Sequence, residues 1–299
     1  MTTVTRMLGV GVLAMGVLTL GLAHAAWPQV FRSRVDLVRL DVSVTRGTTP
    51  VAGLSARDFV VTDNGIEQPV ESSQFSDVPL HVEVAFDVSG SVAGRRLRAL
   101  QTAVGRLMDD LRPGDHVGVL TFSRRLRVRA PMSPDVAAAR ASLANIIPEG
   151  PTALRDAVAL GVTLAAGDNG RGLLVLFTDG EDNASWLSRE GALDVARRGD
   201  AVVHVVSVGR RTMLPAGNSE PVKDFVDELL ERTGGREWRA SSDDDLAHLA
   251  TAAFGEMRAR YLLTYQPKAP VRPGWHDVRI RLRQGSATIK SRPGYVAGQ

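Results

Sequence analysis

The 299-residue chain contains no cysteine. Disulfide staples, thiol nucleophiles, thiolate metal sites and a lipid anchor on cysteine are therefore excluded, and the fold must rest on its core. Lysine is scarce as well: Lys223, Lys268 and Lys290 are three among 36 basic residues. Aromatic residues are only 5% of the chain. No H-E-x-x-H pair, no phosphate-cradling P-loop and no Gly-x-Ser-x-Gly elbow occurs. The six histidines (His24, His81, His116, His204, His248 and His276) are scattered, and His204 sits in an apolar run as a core histidine does. These absences weigh against the common hydrolase classes.

The one long apolar run lies at the N-terminus. Met7 to Ala23 is almost uninterrupted, Arg6 precedes it, and Ala23-His24-Ala25 has the small-x-small form of a cleavage site. Residues 1–25 read as a secretory signal, with a mature chain beginning near Ala26. The competing reading is an uncleaved anchor, since the run is at the lower limit for spanning a bilayer. The expected location is periplasmic or extracellular, with membrane attachment only if the signal persists. Net charge is +3 and the pI about 9.7. The only dense basic group is Arg124, Arg125, Arg127 and Arg129. Its alternation with Leu126 and Val128 reads as an edge strand with a charged outer face, and no nucleic-acid partner is expected.

Three regions follow the signal. Residues 34–76 are β-rich: Leu37, Leu40, Val42 and Val44 approach period two, and Asp63-Asn64-Gly65 is a turn signal. Residues 79–258 alternate strand and helix. Gly94 to Leu111 is the clearest helix, with Leu97, Leu100, Val104, Leu107, Met108 and Leu111 on one face. Helices are also expected over Asp135 to Ile147, Thr152 to Ala165, Arg189 to Arg198, Val222 to Glu231 and Asp243 to Met257. Residues 259–296 return to β character, with a hairpin at Gln284-Gly285-Ser286. The expected fold class is α/β: a doubly wound, mostly parallel sheet flanked by helices. The N- and C-terminal segments are too short to bury cores alone and are expected to pair into one small β module. Two independent β extensions are the alternative.

Asp87-Val88-Ser89-Gly90-Ser91 closes the apolar run Leu80 to Phe86. An Asp and two hydroxyls at alternating positions on a tight turn can aim three oxygens at one point, which suits a hard divalent cation. Gly150-Pro151-Thr152 precedes a helix, and Phe177-Thr178-Asp179-Gly180 follows a buried strand. Three loops after strands, each with an oxygen donor, point to one metal site at the carboxyl edge of the sheet. The plainer reading is a network of turns and helix caps without metal. Beside Asp179, Glu181 and Asp182 form an acidic loop, and Trp186 is a candidate exposed anchor on the same rim.

With Leu111-Arg112-Pro113-Gly114-Asp115, Thr121-Phe122-Ser123, Thr152 to Ala157 and Thr233-Gly234-Gly235-Arg236, these motifs resemble the von Willebrand factor A (VWA) domain, in a bacterial VWFA-related branch. The resemblance runs from about Arg34 to Val296. It implies a metal-ion-dependent adhesion site in which Ser89 and Ser91 bind Mg2+ or Mn2+ directly. Thr152 would bind directly or through water, depending on conformation, and Asp87 and Asp179 would act mainly through water. A carboxylate from a protein partner would fill the remaining position. The expected function is an exported binding module. The alternatives are an assembly subunit of an envelope complex with a structural metal and, less favoured, a metal-dependent hydrolase.

Overall fold

Val38, Leu40, Val42 and Val44 are buried on one face of the first strand, as period two requires. The structure, a computed structural model, describes residues 37–167, 170–208, 225–268 and 271–298. The expected signal lies outside the described residues, as do the start of the first expected strand and residues 222–224 of the fifth expected helix. The N-terminal segment gives β1 (Val38–Arg46), β2 (Thr49–Pro50), β3 (Phe59–Asp63), β4 (Ile66–Gln68) and β5 (Ser72–Phe75). Asn64 and Gly65 take positive φ between β3 and β4, the conformation that the Asn-Gly pair tolerates best.

The central region begins with β6 (Leu80–Asp87), α1 (Arg95–Asp109), β7 (His116–Phe122), β8 (Leu126–Ser133) and α2 (Val136–Ala141). It continues with α3 (Leu154–Ala165), β9 (Arg171–Thr178), α4 (Arg189–Arg198), β10 (Val202–Val208), α5 (Phe225–Thr233), β11 (Glu237–Ala240) and α6 (Leu246–Arg258). One sheet results, in the order β11-β10-β9-β6-β7-β8. All pairs are parallel except β7 with β8. Val82, Val84 and Phe86 face a core built with α1 and α6, and Ala85 faces one built with α3, α4 and α5. The sheet is therefore covered on both faces.

α2 is shorter than the helix expected over Asp135 to Ile147. Asp135 caps it by accepting from the Ala138 N–H (2.9 Å), but Asn145 takes φ +54° and Pro148 lacks an N–H. The chain there must double back, since Glu149 N donates to Val88 O (2.9 Å) and Gly90 N to Gly150 O (3.1 Å).

The tail supplies β12 (Arg260–Tyr265), β13 (Gly274–Leu282), β14 (Thr288–Lys290) and β15 (Gly294–Ala297). One sheet runs β14-β1-β12-β5, with β2 on β1, and the other β15-β13-β3-β4. Leu40, Val42, Phe59, Val61, Tyr261, Leu263, Val278 and Tyr295 share the core between them. The α/β domain is inserted between β5 and β12, which lie antiparallel with Phe75 opposite Tyr261, so its two ends are neighbours. The expected hairpin at Gln284 to Ser286 does not form. β13 already has β3 and β15 on its two edges, and β14 pairs instead with β1.

Candidate metal-binding site

From β6 the chain goes first to β7 on one side, and then returns to β9, β10 and β11 on the other. β6 and β9 are thus the strands where the winding reverses, and the crevice beyond their carboxyl ends is where such sheets bind ligands. Asp87 ends β6 and Asp179 follows β9. Ser89 and Ser91 belong to the turn into α1, and Thr152 to the loop before α3.

The five residues named from sequence converge there. Asp87 is 1% exposed, and Ser89 and Thr152 are also buried, whereas Ser91 is exposed at the mouth. Asp87 Oδ1 accepts from the Ser89 N–H (2.6 Å) and Oδ2 accepts from Thr152 Oγ1 (3.4 Å). Ser89 Oγ lies 3.0 Å from Ser91 Oγ. Burial pushes the Asp87 carboxyl up to about 6, and the Asp179 charge adds to the rise, against lowering by the Ser89 and Thr152 hydrogen bonds. Arg96, across a cavity of about 10 Å³ behind Asp87 and Asp179, is paired with Asp243 at 3.3 Å.

A hard cation fits this donor set. Three hydroxyls and two carboxylates supply oxygen only, and the carboxylates repel one another across a buried space with no cation to separate them. Hydroxyl donors are neutral, so a divalent ion held mainly by them keeps charge for a further anionic ligand. The described histidines lie elsewhere: His81 and His116 begin β6 and β7, His204 is within β10, His248 is on α6 and His276 is on β13.

The rim differs from its expected form. Asp182 is turned inward, accepting from Arg155 N (2.8 Å), Arg155 Nη2 (3.1 Å) and Ser185 Oγ (2.5 Å). Those bonds, led by the Arg155 side chain, hold its carboxyl below the usual range despite burial. It therefore caps α3 and is not free to meet a partner. Glu181 is exposed, and its N–H donates to Asp179 Oδ1 (3.1 Å). Trp186 is 94% exposed, yet its backbone is fixed: Asp156 accepts from the N–H groups of Trp186 and Leu187, each at 2.9 Å.

Two residues outside the expected set organise the site. Asn183 Oδ1 accepts from Thr152 N (2.7 Å), and Thr152 O accepts from Asn183 N and Ala184 N. Asp156 holds the other end of the same loop. Only the acidic and polar density of Asp179 to Ser188 signals them in the sequence.

Residues 84–181 match the family model for the von Willebrand factor type A domain. Human inter-alpha-trypsin inhibitor heavy chain H4 is 28% identical over 201 residues, 62% of this chain and 21% of that protein. Heavy chain H3 of Mesocricetus auratus is 24% identical over 203 residues, 62% of this chain and 22% of that one. The chain thus spans about a fifth of the length of these curated relatives. Among solved structures, a von Willebrand factor type A protein from Catenulispora acidiphila superposes with a TM-score of 0.50 at 15% identity. That match covers 90% of this chain and 75% of the other. Proximal thread matrix protein 1 from the mussel byssus, with a zinc-occupied MIDAS motif, gives 0.50 at 16% identity over 65% and 50% of the two chains. At these identities the structural likeness establishes the fold alone.

Proposed function

We propose that this chain, a von Willebrand factor type A domain protein, is an exported, non-catalytic binding module that holds a protein partner through a divalent cation. The observation that carries the reading is the convergence of Asp87, Ser89, Ser91, Thr152 and Asp179 at the winding reversal, with no basic side chain pairing either acid. Ser89 and Ser91 would hold Mg2+ or Mn2+ with Thr152, while Asp87 and Asp179 orient the hydroxyls and balance charge. The bound ion would supply a positive centre for a partner carboxylate. Asp87 accepts the Ser89 N–H and the Thr152 hydroxyl, and so keeps both loops in register. The metal reported for the mussel protein, zinc in its MIDAS motif, supports a metal here without fixing which one.

Metal binding should register as stability. A ligand that binds only the folded state, at ten times its Kd, adds about 1.4 kcal/mol, roughly 3–6 °C in Tm for a domain of this size. Mg2+ and Mn2+ should give that shift, and Asp87→Ala and Asp179→Ala should remove it. A melting curve unchanged across millimolar Mg2+ would overturn the site.

Partner capture should then depend on the ion. Proteins retained from envelope extract in Mg2+ should be released by EDTA. Thr152→Ala should weaken a purified partner more than it weakens Mg2+. Trp186→Ala should cost about 2 kcal/mol of partner affinity if the ring is an anchor, with no loss of Tm because the ring contacts water. Partner binding indifferent to EDTA and to both substitutions would move the interface away from this edge.

A further inference from the structure

β8 is the outer strand of the six-stranded sheet, and its arginines do more than face solvent. A groove of about 200 Å³ runs between β8 and the 145–149 loop, lined by Arg125, Arg127, Arg129, Ile147 and Glu149. Val88, between Asp87 and Ser89, lines it too. The loop is bonded to the metal loop through Glu149 N to Val88 O and Gly90 N to Gly150 O. The groove and the candidate metal site therefore share a wall.

The groove's charge is unbalanced. Glu149 is its one lining carboxylate. Its 3.5 Å contact with Arg127 joins groups 59% and 55% exposed, a pairing worth little in water. Arg129 donates to the carbonyls of Ser142 (3.1 Å) and Ala144 (2.9 Å), which fixes the loop and leaves its charge uncancelled. Arg125 is exposed and has no ion-pair partner among the described residues. A cleft lined by one sign of charge concentrates the opposite sign. No aromatic ring lines it for a base to stack on, which favours a protein carboxylate over a nucleic acid.

We infer that the partner presents an acidic segment: one carboxylate for the metal site and a second, a few residues along, for Arg125 and Arg127. The inference rests on the metal-site reading above. The groove adds specificity, since a lone acidic residue can satisfy a cation but only a run of acids can fill both places.

Two fluorescent Gly/Ser peptides of equal length test this, one with a single Asp and the other with an Asp followed by Glu at alternate positions. The readout is the ratio of their affinities in Mg2+ at low salt. Exposed charge pairs are each worth a few-fold, so the wild-type protein should favour the polyacidic peptide by about tenfold. Arg125→Ala/Arg127→Ala should bring the ratio to about one, and Glu149→Gln should raise it. Arg279→Ala/Arg281→Ala removes the same charge from β13 and should leave the ratio alone, with Tm confirming that each variant folds. A ratio that survives the groove variant, or that falls equally in the β13 variant, overturns the inference, as does an oligothymidylate that displaces the polyacidic peptide. Peptide binding that ignores EDTA while the ratio still follows Arg125 and Arg127 upholds the groove and overturns the metal contact, so the two readings fail separately.

Discussion

Replacing Glu256 with alanine should destabilise the protein by about 3–5 kcal/mol, the usual cost of stranding buried charge, or roughly 10 °C in Tm. Glu256, on α6, is the hub of the contact between the α/β domain and the sandwich. Its carboxylate lies 2.8 Å from Arg260 Nε, 3.2 Å from Arg236 Nε and 2.8 Å from His204 Nε2. Arg260, fully buried, opens β12 and also donates to Gly234 O (2.9 Å). Arg236 reaches Ser43 Oγ on β1 (3.2 Å). His204 Nδ1 accepts from Arg236 N (3.2 Å), and burial holds its pKa low. It is thus a neutral donor to Glu256, and two guanidiniums would lose their carboxylate.

The same residue sets a pH dependence. Burial alone would raise the Glu256 carboxyl, but Arg260 and His204 overcome that and hold it far below its ordinary 4.5. A depressed folded-state pKa contributes stability that is present above the unfolded value and is lost as pH falls below it. Urea titrations should therefore show wild-type stability falling below about pH 4.5, and a shallower fall in Glu256→Ala. A loss under 1 kcal/mol at pH 7 would mean that the cations find other partners and that the network is not what joins the domains.

The sequence carried the fold class because its strongest signals are periodic. The apolar faces of β1, β6 and α1 are visible as spacings, and the α/β insertion shows as a change from period two to alternating strand and helix. The missed strands have no such signal. β2 has two residues, and β11 and β15 four each, and a neighbour's ladder defines them. β11 takes its register from β10, with Val205 opposite Glu237. The false hairpin came from reading a turn as local pairing, when sheet edges far away in sequence decided where β14 went. At the candidate site, the donors were legible because they recur at fixed spacing after strands. Asn183 and Asp156 were not, since each acts on backbone about thirty residues away. The arginine groove was legible as charge and not as a cavity, because its far wall is the 145–149 loop, expected in part to be helical.

Glu83→Gln should stabilise the protein by about 3 kcal/mol at pH 7, a gain from removing a charge. Glu83 lies in β6, the strand that delivers Asp87, and is 1% exposed. Its Oε1 has no hydrogen-bond partner, and its other oxygen fits only because residue 118 is glycine: a Cβ there would meet Oε2 at 2.0 Å. Burial pushes the carboxyl from 4.5 up to about 8. The folded state then holds a proton that the unfolded state releases above pH 4.5. By linkage, stability declines as pH rises from about 4.5 to 8 and levels off above. Glutamine mimics the protonated acid, so the variant should match wild type near pH 4.5 and pull ahead as pH rises. Together with Glu256, which weakens the fold in acid, this places the wild-type optimum close to pH 5 and moves it upward in Glu83→Gln. Denaturation at pH 4.5, 7 and 8.5 gives the comparison. Parallel curves for the two proteins would show that Glu83 is ionised in the fold at neutral pH, paired with a group that moves in to meet it.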